Sequence, residues 1–433
     1  MKWKAFLLPD SAGWQKRAAV CADKDIFFDI RNMEEKHREM NKLDFAGKAL
    51  AWALPMVLLS SCGCRQDALL EARFSGLDSA TVYIKAVPVS MPDSVAMDTL
   101  RMTGGVFSWN PDLTTPTEVV IEMDKDRRMQ RGREVTPMVY KVAFLAVPGE
   151  KVRLDAKYED GFLSYTLDGS ASLQMQSRLR NSLKETYMRS QQLSDQIAEA
   201  LAEGVENANE QYVDSLSAMY SEAAQGIRDA SLDYIRENPS ALLSAFFLLQ
   251  NTNPDTFLTY YAQLDNSVRD GLLSERLEKA RAAAEHRLLI RENDAKLVPG
   301  SLVPVFTLSS IDGKMVELSD YADKYVVLDF WGTWCPWCIK GLPEMKAYQA
   351  KYKDKVVFIS IACRDKVEKV RAMVKAENMN WINVMNGTGD KDVALAYGVS
   401  GFPTKVLLEP GLRFKAKYLG EVPEFYEALD NLK

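Results

Sequence analysis

Three kinds of hydrophobic patterning follow one another along the chain. Within residues 62–170, short runs alternate apolar and polar positions: Thr81-Val82-Tyr83-Ile84-Lys85-Ala86-Val87, Thr117-Glu118-Val119-Val120-Ile121-Glu122 and Lys151-Val152-Arg153-Leu154-Asp155-Ala156, with Pro, Gly and Asp between them. Successive side chains of a strand point to opposite faces, so a period of two punctuated by turn residues predicts an antiparallel β sandwich. From 171 to 296 the spacing changes: Leu179, Leu183 and Tyr187, then Ile197 and Leu201, recur among Glu, Gln, Arg and Ala. That recurrence predicts a segment of amphipathic helices. Asn238-Pro239-Ser240 and Asn253-Pro254-Asp255 both read as helix starts, because Asn caps an N-terminus and proline suits the first turn. The apolar stretch Leu242 to Leu249 is only about two turns long, which fits core between helices and not a membrane span.

Residues 297–433 combine both periods. A buried strand, Tyr325 to Phe330, is followed by a helix reaching Lys346–Lys353, a second strand from Val356 to Ile361 and a further helix from Lys366 to Ala376. Strands alternating with helices predict an α/β sheet containing parallel strands. The expected chain is thus multidomain, with an N-terminal β sandwich, a central α-helical segment and a C-terminal α/β domain.

Composition narrows the chemistry. The 433 residues are 47% hydrophobic, enough for two or three cores, and 54 basic against 60 acidic residues give a net charge of −6. No basic footprint of the kind that phosphate backbones select is present, so nucleic acid is not an expected partner. His37 and His286 are the two histidines, and neither adjoins a cysteine pair, so no metal site is expected. No cofactor is expected either. Six cysteines, Cys21, Cys62, Cys64, Cys335, Cys338 and Cys363, are too few to staple a chain of this size. Cys64 reads as a bystander and Cys363 as a buried core thiol.

Between Lys48 and Cys62 an apolar run of about eleven residues follows a lysine and precedes small residues, the pattern of a signal-peptide core that is too short for a membrane helix. Leu59-Ser60-Ser61-Cys62 resembles a bacterial lipobox, which implies lipidation of Cys62 and removal of residues 40–61. A signal should begin near the start of its protein, and Met40 to Lys48 makes a short basic opening, so residues 1–39 read as an extension from a start placed too far upstream. The compartment implied is the cell envelope, with a lipid anchor facing the periplasm, where disulfides persist.

The chemistry concentrates in Asp329-Phe330-Trp331-Gly332-Thr333-Trp334-Cys335-Pro336-Trp337-Cys338, with Val399-Ser400-Gly401-Phe402-Pro403-Thr404 further on. A lone Cys-x-x-Cys is half a zinc site, but no second pair or nearby histidine completes it. With its flanking motifs, residues 297–433 resemble the thioredoxin superfamily, in particular its TlpA/ResA-like membrane-anchored thiol-disulfide oxidoreductases. Residues 62–170 resemble the small β domain that precedes such domains in Bacteroidetes lipoproteins. The resemblance implies that Cys335, at a helix N-terminus that favours its thiolate, is the attacking sulfur and Cys338 the resolving one. It implies that Asp329 is a buried base for Cys338, and that Phe402-Pro403 is a cis-proline loop facing the pair. Pro403 is accordingly grouped with the catalytic residues, and Trp334, Pro336, Trp337 and Phe402 with substrate binding. Trp331 reads as core packing and Pro343 as a helix-kinking proline.

One position departs from the resemblance. ResA-like reductases carry a glutamate three residues after the second cysteine, and Gly341 stands there. The expected activity is reduction or isomerisation of protein disulfides, with protein clients and a membrane thiol electron donor. A disulfide-forming oxidase and a binding module with an inactive domain stay open as alternatives. The peroxidatic Pro-x-x-x-Thr-x-x-Cys pattern of the peroxiredoxins is absent before Cys335. Spacing or homodimer formation is the role expected of the helical segment.

Overall fold

The computed structural model describes residues 69–130, 133–202 and 209–432. The expected leader, Cys62 with its lipobox, Cys21, Cys64 and His37 lie outside the described residues. The chain divides into two compact units, one running to Arg281 and one beginning at Ala282.

The first unit opens with β1 (Leu70–Ser75), β2 (Ser79–Pro88), β3 (Ala96–Thr103), β4 (Val106–Trp109), β5 (Thr117–Met123), β6 (Arg128–Gln130), β7 (Arg133–Val135), β8 (Val142–Ala146), β9 (Val152–Glu159) and β10 (Phe162–Asp168). Alternation builds its core: Val82, Ile84 and Ala86 of β2 meet Val119, Ile121 and Met123 of β5 and Val152, Leu154 and Ala156 of β9, all buried. Apart from the β6–β7 ribbon, the strands are hydrogen-bonded in a single order, β10-β9-β1-β4-β3-β2-β5-β8. Two corrections to the expected antiparallel sandwich follow. The ladder is continuous, not two separately bonded sheets, and β1 pairs with β9 in parallel. A parallel pair needs a long connection, which the seven strands between β1 and β9 supply.

Helices follow: α1 (Ala171–Ser182), α2 (Lys184–Ala200), α3 (Glu210–Glu237), α4 (Leu242–Leu249), α5 (Pro254–Tyr261), α6 (Asn266–Arg269) and α7 (Ser274–Lys296). Asn253 caps α5, its side chain accepting the Thr256 N–H at 3.0 Å, with Pro254 in the first turn. Asn238 does the opposite of what was expected: it ends α3, donating its side-chain amide to the Tyr234 carbonyl at 3.0 Å. Asn can satisfy either orphan donors or orphan carbonyls, and here the last turn of a 28-residue helix claims it. Helix α4 is core, with Leu243, Ala245, Phe246 and Leu248 buried.

The second unit takes in α7 from Ala282 onward, the short β11 (Thr307–Ser309) and β12 (Met315–Glu317) pair, and a five-stranded sheet. Its strands are β13 (Tyr325–Trp331), β14 (Val356–Ala362), β15 (Ile382–Met385), β16 (Thr404–Glu409) and β17 (Arg413–Leu419), in the order β15-β14-β13-β16-β17. The first three run parallel, and β16 and β17 are antiparallel to their neighbours. Helices α8 (Pro336–Tyr352), α9 (Val367–Ala376), α10 (Val393–Ala396) and α11 (Pro423–Asp430) complete it.

Strand β13 is apolar on both faces, as a central strand covered on both sides must be. Val326, Leu328 and Phe330 pack into one core with Ile359, Ile361, Val406 and Leu408. On the opposite face Val327 packs with Met345 of α8 and Phe425 of α11, and Trp331 with Cys335, Cys338 and Leu342. Asp329 falls between Val327 and Trp331 in the strand's alternation, so the fold sets a carboxyl on the α8 side of the sheet.

Candidate active site

Strand β13 delivers the chain into Gly332-Thr333-Trp334, and α8 starts at Pro336 with Cys335 as its N-cap. Proline is suited to that first helical position because its missing N–H would find no partner there in any case. The Cys335 sulfur accepts the backbone N–H of Cys338 at 3.2 Å, and the two cysteines are joined in a disulfide with a Cα–Cα distance of 5.3 Å. Both are nearly enclosed, at 3% and 4% exposure. An N-cap sulfur receiving a helix N–H is held where its negative form is most favoured, by orphan donors and by the helix dipole together.

Aromatic side chains surround the pair. Trp334 is 47% and Trp337 61% exposed, while Trp331 is buried. The Trp334 indole N–H donates to the Cys363 carbonyl at 3.0 Å, and its ring stands edge-on to Phe402 with centroids 5.3 Å apart. The Phe402-Pro403 peptide is cis. The Arg364 guanidinium lies 5.5 Å from the Phe402 ring centroid, and the Lys340 ammonium 4.9 Å from that of Trp337. The Thr333 N–H is anchored by the Asp365 carboxylate at 2.7 Å. Pro343 lies inside α8 without ending it.

Beneath this rim the register places Ser360 and Lys405 directly across from Asp329 on the two neighbouring strands. The Ser360 hydroxyl donates to Asp329 Oδ2 at 3.0 Å and accepts the Trp381 indole N–H at 2.9 Å. Lys405 Nζ lies 3.9 Å from Asp329 Oδ1 and 2.5 Å from Glu421 Oε1. Burial pushes the Asp329 carboxyl above the ordinary carboxylate range; Lys405 and the Ser360 bond oppose this, and the Glu421 charge adds to it. Cys363 is a free thiol, buried at the end of β14, and burial pushes it up to about 12.

The structure thus gathers Asp329, Trp334, Cys335, Pro336, Trp337, Cys338, Phe402 and Pro403 at one end of the second unit's sheet. Sequence reasoning did not single out Ser360, Trp381, Lys405 or Glu421. The one signal that could have led to them was an absence, the glycine at 341. Among the described residues no cluster of His, Cys, Asp or Glu is arranged to hold a metal ion, and no helix is long and apolar enough to cross a membrane.

Residues 299–411 match the family model described as the AhpC/TSA family. A thiol-disulfide oxidoreductase ResA of Bacillus thuringiensis subsp. konkukian is 33% identical over 117 residues, covering 27% of this chain and 66% of the relative's length. That of a Bacillus cereus strain is 34% identical over 128 residues, covering 29% of this chain and 72% of the relative. A solved structure, the thioredoxin domain of a thiol-disulfide oxidoreductase from Bacteroides vulgatus, is 29% identical and covers 31% of this chain and 96% of its own, with a TM-score of 0.29. The chain therefore spans about two thirds of the length of these curated relatives, and the family model falls within the unit that carries the disulfide. The chain belongs to the ResA family of thiol-disulfide oxidoreductases.

Proposed function

We propose that the chain exchanges thiols and disulfides with protein clients through Cys335 and Cys338, in the reducing or isomerising direction. The observation that carries this reading is the sulfur of Cys335 at the N-cap of α8, hydrogen-bonded from the Cys338 N–H and already linked to the sulfur it would exchange with. In the reducing direction the Cys335 thiolate attacks one sulfur of a client disulfide, and the client's other sulfur leaves as a thiolate. Cys338 then gives its proton to the Asp329 carboxylate and attacks Cys335, breaking the mixed disulfide and releasing the reduced client. A neighbouring thiol one helical turn away makes this second step intramolecular, which favours it over a second encounter. Two electrons leave with the client, so a donor dithiol at the membrane must return them. Exposed Trp334, Trp337 and Pro336, with Phe402 on the cis-proline loop, supply an apolar rim for docking an unfolded or extended client segment.

The exchange is assigned to residues 297–433. Residues 171–296 are assigned spacing or self-association, and Cys62 a lipid anchor that holds the unit in the envelope facing the periplasm. The lipobox sequence supports the anchor, and intact-mass analysis of native material tests it: residues retained ahead of Cys62 would rule it out. The direction of exchange is tested by the equilibrium reduction potential of the pair against glutathione. Within this fold potentials span about −270 to about −120 mV, roughly 7 kcal/mol for two electrons. A value near the reducing end supports the reading, one near the oxidising end makes the protein a disulfide donor, and a pair that does not cycle leaves a binding module.

A further inference from the structure

Gly341 lies on α8 three residues beyond Cys338, on the same inward face, and is buried. A Cβ placed on it would lie 2.1 Å from Cδ of Glu421 and 2.3 and 2.5 Å from that residue's two carboxylate oxygens. The space that any side chain at 341 would fill is therefore occupied by a carboxylate arriving from the turn between β17 and α11. That carboxylate binds Lys405 Nζ at 2.5 Å and accepts the Tyr426 hydroxyl at 3.1 Å. Lys405 is 1% exposed, so one buried ammonium stands between two carboxyl groups, Glu421 at 2.5 Å and Asp329 at 3.9 Å. At equal dielectric the nearer attraction is roughly half as strong again, and only the nearer pair is within hydrogen-bond distance.

We infer that Glu421 is a positioning residue for thiol exchange: seated where Gly341 leaves room, it draws the Lys405 ammonium to itself and leaves Asp329 free to hold and release the proton that the Cys338 sulfur requires. The inference rests on the exchange reading above and adds a regulator of the same site. Lys405 pairs with both Asp329 and Glu421, Glu421 fills the space beside Gly341, and Gly341 lies one helical turn from Cys338. Two other titratable groups feel the charge of Asp329: Tyr426 from α11, which also feels Glu344 of α8, and Cys363 just past β14, which also feels Arg364 and Asp392. Burial holds the protons on both through the neutral range, so neither competes for the role.

The test follows reduction of the oxidised full-length protein by excess dithiothreitol, read by the change in total tryptophan fluorescence on opening of the disulfide. A dithiothreitol thiolate attacks Cys335, the Cys335–Cys338 bond breaks with its electron pair on Cys338, and the Asp329 carboxyl protonates that sulfur. The second dithiothreitol sulfur then closes its ring and frees Cys335. Rates are divided by those for reduction of glutathione disulfide at the same pH, which removes the titration of dithiothreitol itself. The normalised rate falls as Asp329 loses its proton. In Glu421→Gln, Lys405 turns to Asp329, and the fall moves to lower pH by about one unit, a rate about tenfold below wild type in that window. In Lys405→Met the fall moves to higher pH. A Glu421→Gln profile that is unmoved, or moved upward, overturns the inference. If Lys405→Met does not fold, Glu421→Gln alone decides, because a packing defect slows exchange equally at every pH. Failure of the wild-type disulfide to be reduced at any pH would remove the exchange reading itself; normal wild-type exchange with an unmoved variant removes only the role of Glu421.

Discussion

The indole N–H of Trp334 donates to the backbone carbonyl of Cys363, 3.0 Å away, and so ties the residue before Cys335 to the end of the neighbouring strand. The bond fixes one edge of the ring while Phe402 packs against another. A side chain 47% exposed yet held at two points is a rigid apolar surface, and under the proposed exchange a client docking on it loses little rotamer freedom. Trp334→Ala is expected to slow reduction of a protein disulfide about tenfold, equivalent to about 1.4 kcal/mol, and to change reduction by dithiothreitol less than twofold. Equal losses with both substrates would show that Trp334 acts on the sulfurs and not on docking.

Replacing the sulfur proposed to resolve the mixed disulfide should separate the two half-reactions. Cys338→Ser keeps the N-cap sulfur of Cys335 but removes the group that breaks the mixed disulfide, so a covalent complex with a client is expected to accumulate. Non-reducing electrophoresis and intact mass check this. Cys335→Ser should trap nothing, and trapping through Cys338 alone would reverse the assignment of the two roles.

The Asp329 carboxyl is raised by burial in the folded chain and ordinary in the unfolded one, so protonation favours folding. The stability it lends is fully present below the unfolded value and is lost as pH rises through the folded value. Asp329→Asn cannot ionise, and Lys405 keeps Glu421 as a partner. The variant's advantage over wild type in denaturant midpoint is therefore expected to grow with rising pH across that window and then level off, while its exchange rate drops. Midpoints at about pH 4, 6 and 8 give the comparison. An advantage that shrinks as pH rises contradicts the sign of the shift.

Cys363 is expected to stay unlabelled when the reduced, folded protein is treated with iodoacetamide near pH 8, because its thiol is buried and pushed up to about 12. Cys335 should be alkylated under the same conditions. Peptide mapping after quenching distinguishes them, and rapid modification at Cys363 would require a native state that opens at the end of β14.

What the sequence made legible was local. Cys335, Cys338 and Asp329 lie within ten residues on one strand–turn–helix, a contiguous motif on which the thioredoxin resemblance implies a sulfur at a helix start with a carboxyl behind it. Lys405 and Glu421 arrive from β16 and the turn after β17, and only strand register brings them to Asp329. No periodicity within a window reveals a register between strands so far apart. Gly341 was visible as a missing acid, but the carboxylate filling its place came from eighty residues downstream. The parallel β1–β9 pairing was hidden for the same reason, and Asn238 because an Asn beside a proline suits either end of a helix.

Helix α7 bears on how the molecule can be divided. Asn293 donates to the Leu395 carbonyl at 3.0 Å, Asp294 pairs with Lys417, and the Asp294 backbone comes so near Gly398 that a Cβ there would lie 2.5 Å from its nitrogen. Gly398 also has a φ of +58°, so its lack of a side chain is needed twice over. A protease cut or a gene truncation at residue 297, where the strand–helix alternation begins, would strip those partners from α10 and β17. A fragment starting at Ala282 would retain them. Of two such fragments, the longer should be the one that purifies as a folded protein, and the shorter the one that aggregates.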